Sequence, residues 1–191
     1  MKKTFSKTII AIFSLLLLTS LTQAKECYNA NTIDVKWTSY KTMAKIGVGG
    51  NFSKTNLQLA HKNNPSIQKL LNGAKVTLNL TSIDAHLALK NSNIADFFTA
   101  NLSTDEIHTK VIYINEKSLN LQVTLNGITQ IIPMKYTSKN SHIMASGVID
   151  ALDFHLVPSL RVLNKNVSGH KNKGWNDISI SFDMPYTTTC K

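Results

Sequence analysis

The chain has 191 residues, 21 of them lysine or arginine and 11 aspartate or glutamate, for a formal net charge of +10, and only two cysteines. That length fits one domain with a real core and leaves little room for a second. A basic excess carried almost entirely by scattered lysines, with Arg161 as the sole arginine, argues against nucleic acid as a partner and leaves an anionic membrane surface as a plausible neighbour.

Residues 1–24 read as a cleaved secretory signal. Lys2, Lys3 and Lys7 make a basic start, Ile9 to Leu21 an apolar run, and Thr22-Gln23-Ala24 a small-residue cleavage pattern. Lys25 and Glu26 stand between this pattern and Cys27, which argues against lipidation. The expected mature chain, residues 25–191, is a single exported domain in the periplasm. Without the three leader lysines it holds 18 basic and 11 acidic residues, a charge near +7. Cys27 and Cys190, at its two ends, read as a disulfide in an oxidising compartment. Closing 163 residues, 190 minus 27, would stabilise by roughly 5 kcal/mol in the chain-entropy model. Two free thiols or an intermolecular bond are the alternatives.

Along the mature chain the dominant signal is alternation with a period of two. Thr32 to Lys41 carries Ile33, Val35, Trp37 and Tyr40, and Ala44 to Phe52 carries Ile46, Val48 and Phe52 among three glycines that suggest a bulge or sharp coil. A helix is expected with Asn64 as cap, Pro65 first and Gly73 at its end. Strands follow at Lys75 to Ile83 and Ile107 to Ile114, separated by a helix over Asn93 to Leu102. Ser118 to Tyr136 is a hairpin: Leu119, Leu121, Val123 and Leu125 share one face, and Asn126-Gly127 suits a tight turn with positive φ at both positions. Pro133 has no ladder donor, so the second arm should lie on an edge or carry a bulge near its end. His142 to Asp150, a helix over Pro158 to Asn166, and Asp177 to Met184 complete the pattern. About eight strands with a few short helices point to a mainly β fold, either a sandwich or a closed barrel.

Little here carries covalent chemistry. Six histidines include two Asp-x-His pairs, Asp84/His86 and Asp153/His155, that would have to converge to hold a metal, and surface or hydrogen-bonded histidines are the commoner outcome. There is no nucleophile elbow, His-Glu-x-x-His or phosphate-cradling glycine loop. The expectation is a protein that is not an enzyme, with neither a metal site nor a covalent cofactor. The apolar residues remain: as plain core they need no further role, but a closed barrel of about eight strands can enclose one elongated guest.

Several stretches, in order, resemble the YceI-like family of exported, lipocalin-like polyisoprenoid-binding proteins. WTSYKTMAKIGVGGNF (Trp37 to Phe52) is similar to its opening hairpin, and LNLTSIDAHLALKNSNIADFF (Leu78 to Phe98) to its strand, Ser-Ile turn and helix ending in paired phenylalanines. VTLNGITQIIP (Val123 to Pro133), ASGVIDALDF (Ala145 to Phe154) and SGHKNKGWNDISISF (Ser168 to Phe182) resemble later segments. The family's Arg-Asp pair is absent, replaced at Ala88 to Asn91 by ALKN. The resemblance implies an antiparallel lipocalin-like β-barrel around an apolar pocket that takes an isoprenoid quinone or another long-chain lipid. Leu78, Leu80, Phe97, Phe98, Leu121, Val123, Phe154, Ile180 and Phe182 are the expected pocket residues. The function expected is a carrier for such a ligand; the rival is an envelope protein with a filled barrel that works through its surface. A homodimer would form through an edge near Pro133 or an apolar barrel mouth.

Overall fold

The computed structural model describes residues 27–189. The signal segment and Cys190 lie outside the described residues. Ten antiparallel strands form one sheet: β1 (Asp34–Lys41), β2 (Ile46–Phe52), β3 (Thr55–Gln58), β4 (Lys75–Asn79), β5 (Ile83–Asp84), β6 (Glu106–Ile114), β7 (Ser118–Leu125), β8 (Ile128–Lys139), β9 (His142–Asp150) and β10 (Asp177–Pro185). Their order is β3-β4-β6-β7-β8-β9-β10-β1-β2-β5. This is the expected antiparallel barrel, with two short strands, β3 and β5, beyond the expected count.

Those two strands close the barrel. β3 continues β2 after two residues, and β5 continues β4 after a single 3₁₀ turn, Leu80–Ser82. The ladders β2–β5 (Asn51 opposite Asp84) and β3–β4 (Thr55 opposite Leu78) are therefore two halves of one interrupted pair. At the interruption the Ser53 N–H and hydroxyl both donate to the Ser82 carbonyl, at 2.8 and 3.0 Å, and the Ser82 hydroxyl donates to Asn79 O at 2.7 Å. The two ends of the curled sheet meet at this seam.

The hairpin behaves as its alternation dictates. Leu119, Leu121, Val123 and Leu125 are all buried, and Asn126 and Gly127 take φ of 53° and 77°. Pro133 sits opposite Asn120 in the β7–β8 ladder, while pairing of β8 with β9 runs only from Lys135 to Lys139. The residue that cannot donate thus lies where β8 has no second partner. The glycine-rich strand holds no bulge, since β1 and β2 pair without a slip from Lys36–Asn51 to Lys41–Ile46. The irregularity lies instead in β6, where the register shifts between Val111 and Tyr113.

Helices occupy the two ends. At one end α1 (Ile67–Leu71) inserts Leu70 and Leu71 into the core. Its cap is Ser66, whose hydroxyl accepts from Lys69 N, rather than Asn64. Asn64 is buried elsewhere, exchanging backbone hydrogen bonds with Tyr28 and donating its side-chain amide to His61 O at 2.9 Å. At the other end lie α2 (Ala88–Phe97) and α3 (Val157–Asn166). α2 starts five residues before the expected Asn93, because Asn91 folds back: its carbonyl accepts from Ala85 N at 2.7 Å and its amide donates to Asp84 at 3.0 Å. It stops at Phe98, and a 3₁₀ turn, Thr99–Asn101, follows. α3 carries Pro158 in its first turn and buries Leu160 and Leu163.

Candidate functional site: a carbon-lined barrel cavity

The inward side chains do not fill the barrel. Centres of water-sized spheres can range over about 180 Å³ of its interior, where one water needs only roughly 10–15 Å³ by the same measure. The reading of a filled barrel required no such space. The wall is almost wholly carbon. Ile33, just before β1, and Val35 and Trp37 within it alternate into the cavity, as do Ile178, Ile180, Phe182 and Met184 of β10, and Leu121, Val123 and Leu125 of β7. Leu57, Val76, Leu78, Leu80 and Ile107 close the side near the seam, and Leu71 of α1 reaches one end. Ile94 and Phe98 from α2, with Leu156, Leu160 and Leu163 from α3 and its start, cover the other.

Of the nine expected pocket residues, Leu78, Leu80, Phe98, Leu121, Val123, Ile180 and Phe182 line this cavity, and Phe97 and Phe154 do not. The helix period explains Phe97. Ile94 and Phe98, four apart, share a face of α2, which turns Phe97 about 100° aside. Phe154 is fully buried, but in a turn after β9 whose backbone is tied to the hairpin, Asn126 Nδ2 donating to Phe154 O at 3.1 Å. It is core rather than cavity wall. The expected set omitted the α3 leucines and all of β1, although alternation at Ile33, Val35 and Trp37 pointed to them.

Polar groups are few on the wall. The Thr109 hydroxyl donates to Val76 O at 3.1 Å. Trp37 Nε1 is buried and has no hydrogen-bond partner among the described residues. Its ring packs over Gly50, where a Cβ would approach Trp37 Cζ2 to 2.8 Å and Ala85 Cα to 3.0 Å. Among the described residues no titratable side chain other than Lys36 lies on the wall, so the cavity offers an electrically quiet interior suited to hydrocarbon.

Charged groups gather outside it. At the end covered by α2 and α3, Lys45 Nζ lies 2.6 Å from Asp177 Oδ2 and holds that carboxyl below its usual pKa. The same ammonium stands 5.1 Å from the Tyr40 ring centre and 5.0 Å from that of Trp175, and Lys173 Nζ lies 4.7 Å from the latter. Hydrogen bonds from the Asn91 amide and then the His86 N–H lower the Asp84 pKa. His86 pairs with its own Asp84 at 3.6 Å, and no three metal-ligating side chains cluster among the described residues. The two Asp-x-His pairs do not join.

A family model described as the YceI-like domain matches residues 28–185. The chain belongs to the YceI-like family. Solved structures share its fold. A polyisoprenoid binding domain from Saccharophagus degradans, implicated in plant cell wall breakdown, matches with a TM-score of 0.61 at 13% identity, over 86% of this chain and 99% of that one. BcnA of Burkholderia cenocepacia matches at 0.55 and 18% identity, over 82% and 96%. The YCEI protein of Campylobacter jejuni matches at 0.54 and 14% identity, over 79% and 90%. No curated protein matches the chain by sequence. At these identities the likeness establishes the YceI-like fold, and the cavity is this chain's own observation.

Proposed function

We propose that this YceI-like protein is a periplasmic carrier that holds one long-chain hydrophobic molecule, an isoprenoid quinone or similar lipid, in its barrel. The observation that carries the reading is the carbon-lined cavity of about 180 Å³. The polyisoprenoid binding named for the Saccharophagus degradans domain supports the ligand class. The mechanism is transfer of a tail from water to a preformed apolar interior, with no covalent step. Burying ten methylenes is worth about 8 kcal/mol at roughly 0.8 each. That corresponds to about micromolar affinity before ordering costs. The leader at residues 1–24 and a Cys27–Cys190 disulfide belong to this reading. The disulfide is supported by the isolated bridge between Asn29 and Thr187 and by the Cys27 N–H, which donates to Thr188 O at 3.5 Å, so the C-terminal segment lies beside Cys27 as far as Thr188.

Organic extraction of the purified protein followed by mass spectrometry tests the reading. A stoichiometric long-chain lipid is expected. An empty extract, together with no uptake of added ubiquinone, would overturn it. Intact mass before and after reduction tests the disulfide: alkylation of both thiols only after reduction is expected, and alkylation without reduction would refute the bridge.

A further inference from the structure

The turn between β1 and β2 holds an apolar residue rigidly out in solvent. Met43 is 78% exposed and Ile46, the first residue after the turn, 53%. This is no loose tip. Thr42 and Lys45 take positive φ, 61° and 54°, and Lys45 N donates to Thr42 O at 3.2 Å. From the neighbouring loop, Trp175 Nε1 donates to Thr42 O at 2.8 Å, while Thr42 N donates to Lys173 O at 3.0 Å. Two left-handed residues and the half-buried indole bond hold the turn that presents Met43 to water.

The same surface is basic. Lys41 and Lys45 flank Met43 in the chain, and the loop pinned to the turn supplies Lys171 and Lys173; Lys45 is paired with Asp177. Leu87 and Leu89, 53% and 68% exposed where α2 begins, lie at the same end of the barrel. It is also the end where Ile94, Phe98, Leu160 and Leu163 cover the cavity.

We infer that this end of the barrel docks on an anionic lipid bilayer, with Met43 inserted among the acyl chains and the lysines seated on the headgroups. An exposed apolar residue flanked by lysines fits that partner, because the first gains by entering the interface and the second by meeting its negative charge. The purpose of the contact rests on the carrier reading: a lipid guest must leave a bilayer near the lid it passes.

Co-sedimentation with vesicles tests the docking, using phosphatidylglycerol mixed into phosphatidylcholine against phosphatidylcholine alone. The native protein should bind the anionic vesicles and release in high salt. Met43→Glu should lower the partition coefficient at least roughly tenfold, and Lys171→Gln and Lys173→Gln about fivefold each. Unchanged circular dichroism shows each variant folded, and Met43→Ser serves should the glutamate variant not fold. No binding to anionic vesicles, or binding indifferent to Met43, would overturn the docking. Lipid content separates the two ideas: guest without vesicle binding sinks only the docking, and vesicle binding by a protein that never holds a guest sinks only the carrier.

Discussion

Gly50→Ala tests whether the seam, rather than general glycine flexibility, explains the glycine run of β2. Gly50 is buried and its φ is not positive, so alanine meets no backbone strain there and should gain about 0.4–1 kcal/mol from a less disordered unfolded chain. Space decides otherwise. The added carbon would press into the Asp84 carbonyl oxygen, come 3.0 Å from Ala85 Cα and 2.8 Å from Trp37 Cζ2. Two of the three obstacles are backbone, so the segment running on from β5 must move, and β5 is held to β2 by a ladder of only two residue pairs. Overpacking of this kind costs about 1–3 kcal/mol, which lowers the melting temperature by roughly 2–4 °C per kcal/mol in a domain of this size. Gly49→Ala is the control: its carbon faces Thr38 Oγ1 and Trp37 O, both at 3.2 Å, and small adjustments suffice. Urea denaturation of both variants, with amide exchange at Phe52, Ile83 and Asp84, makes the measurement. Faster exchange at the seam in Gly50→Ala is expected. A Gly50→Ala protein as stable as Gly49→Ala would refute the account of barrel closure given above.

Three further outcomes follow. Leu121→Trp should leave a folded protein that has lost its guest, read by lipid content against the thermal transition; collapse of the transition would mean Leu121 packs against a filled interior. Tyr136→Phe removes a hydroxyl whose pKa burial raises, and which donates to O of the exposed Asn115 at 2.6 Å, so urea titration should show a loss of about 0.5–1.5 kcal/mol. Burial, and then the Lys41 ammonium, holds His170 below the usual imidazole pKa. Its contribution to stability is therefore whole above the unfolded value near 6.5 and is lost as pH falls through the lower folded value. The urea midpoint should drop between pH 7.5 and 5, and less so in His170→Gln.

Much of the barrel was legible because its longer strands bury one face. Where that holds, as along β7, β9 and β10, a period of two says where each strand runs and which side chains point inward. β3 and β5 escaped for the opposite reason. Four residues and two residues carry too little alternation to be seen, and their role comes from partners distant in the chain, Gln58 with Lys75 at the nearest and Asn51 with Asp84 at the farthest. The helices show the same division. α3 has proline in its first turn and two leucines three apart, and its position follows; α2 has no side-chain cap and no buried residue, so its start was settled by the tertiary contacts of Asn91.

The cavity lies at a further remove. An inward leucine reads identically whether the residue across from it is in contact or several ångströms away, since both are buried from bulk water. Leu119 and Leu121 stand two apart on one face of β7 and are both buried, yet Leu121 lines the cavity and Leu119 does not. Leu119 lies toward the end where α1 buries Leu70 and Leu71, and Leu121 farther into the barrel. Enclosed volume depends on how far the seam lets the sheet curl before Ser53 meets Ser82, a property of pairing over the whole barrel. Alternation can therefore name the side chains that face inward, while the space between them belongs to the closed sheet.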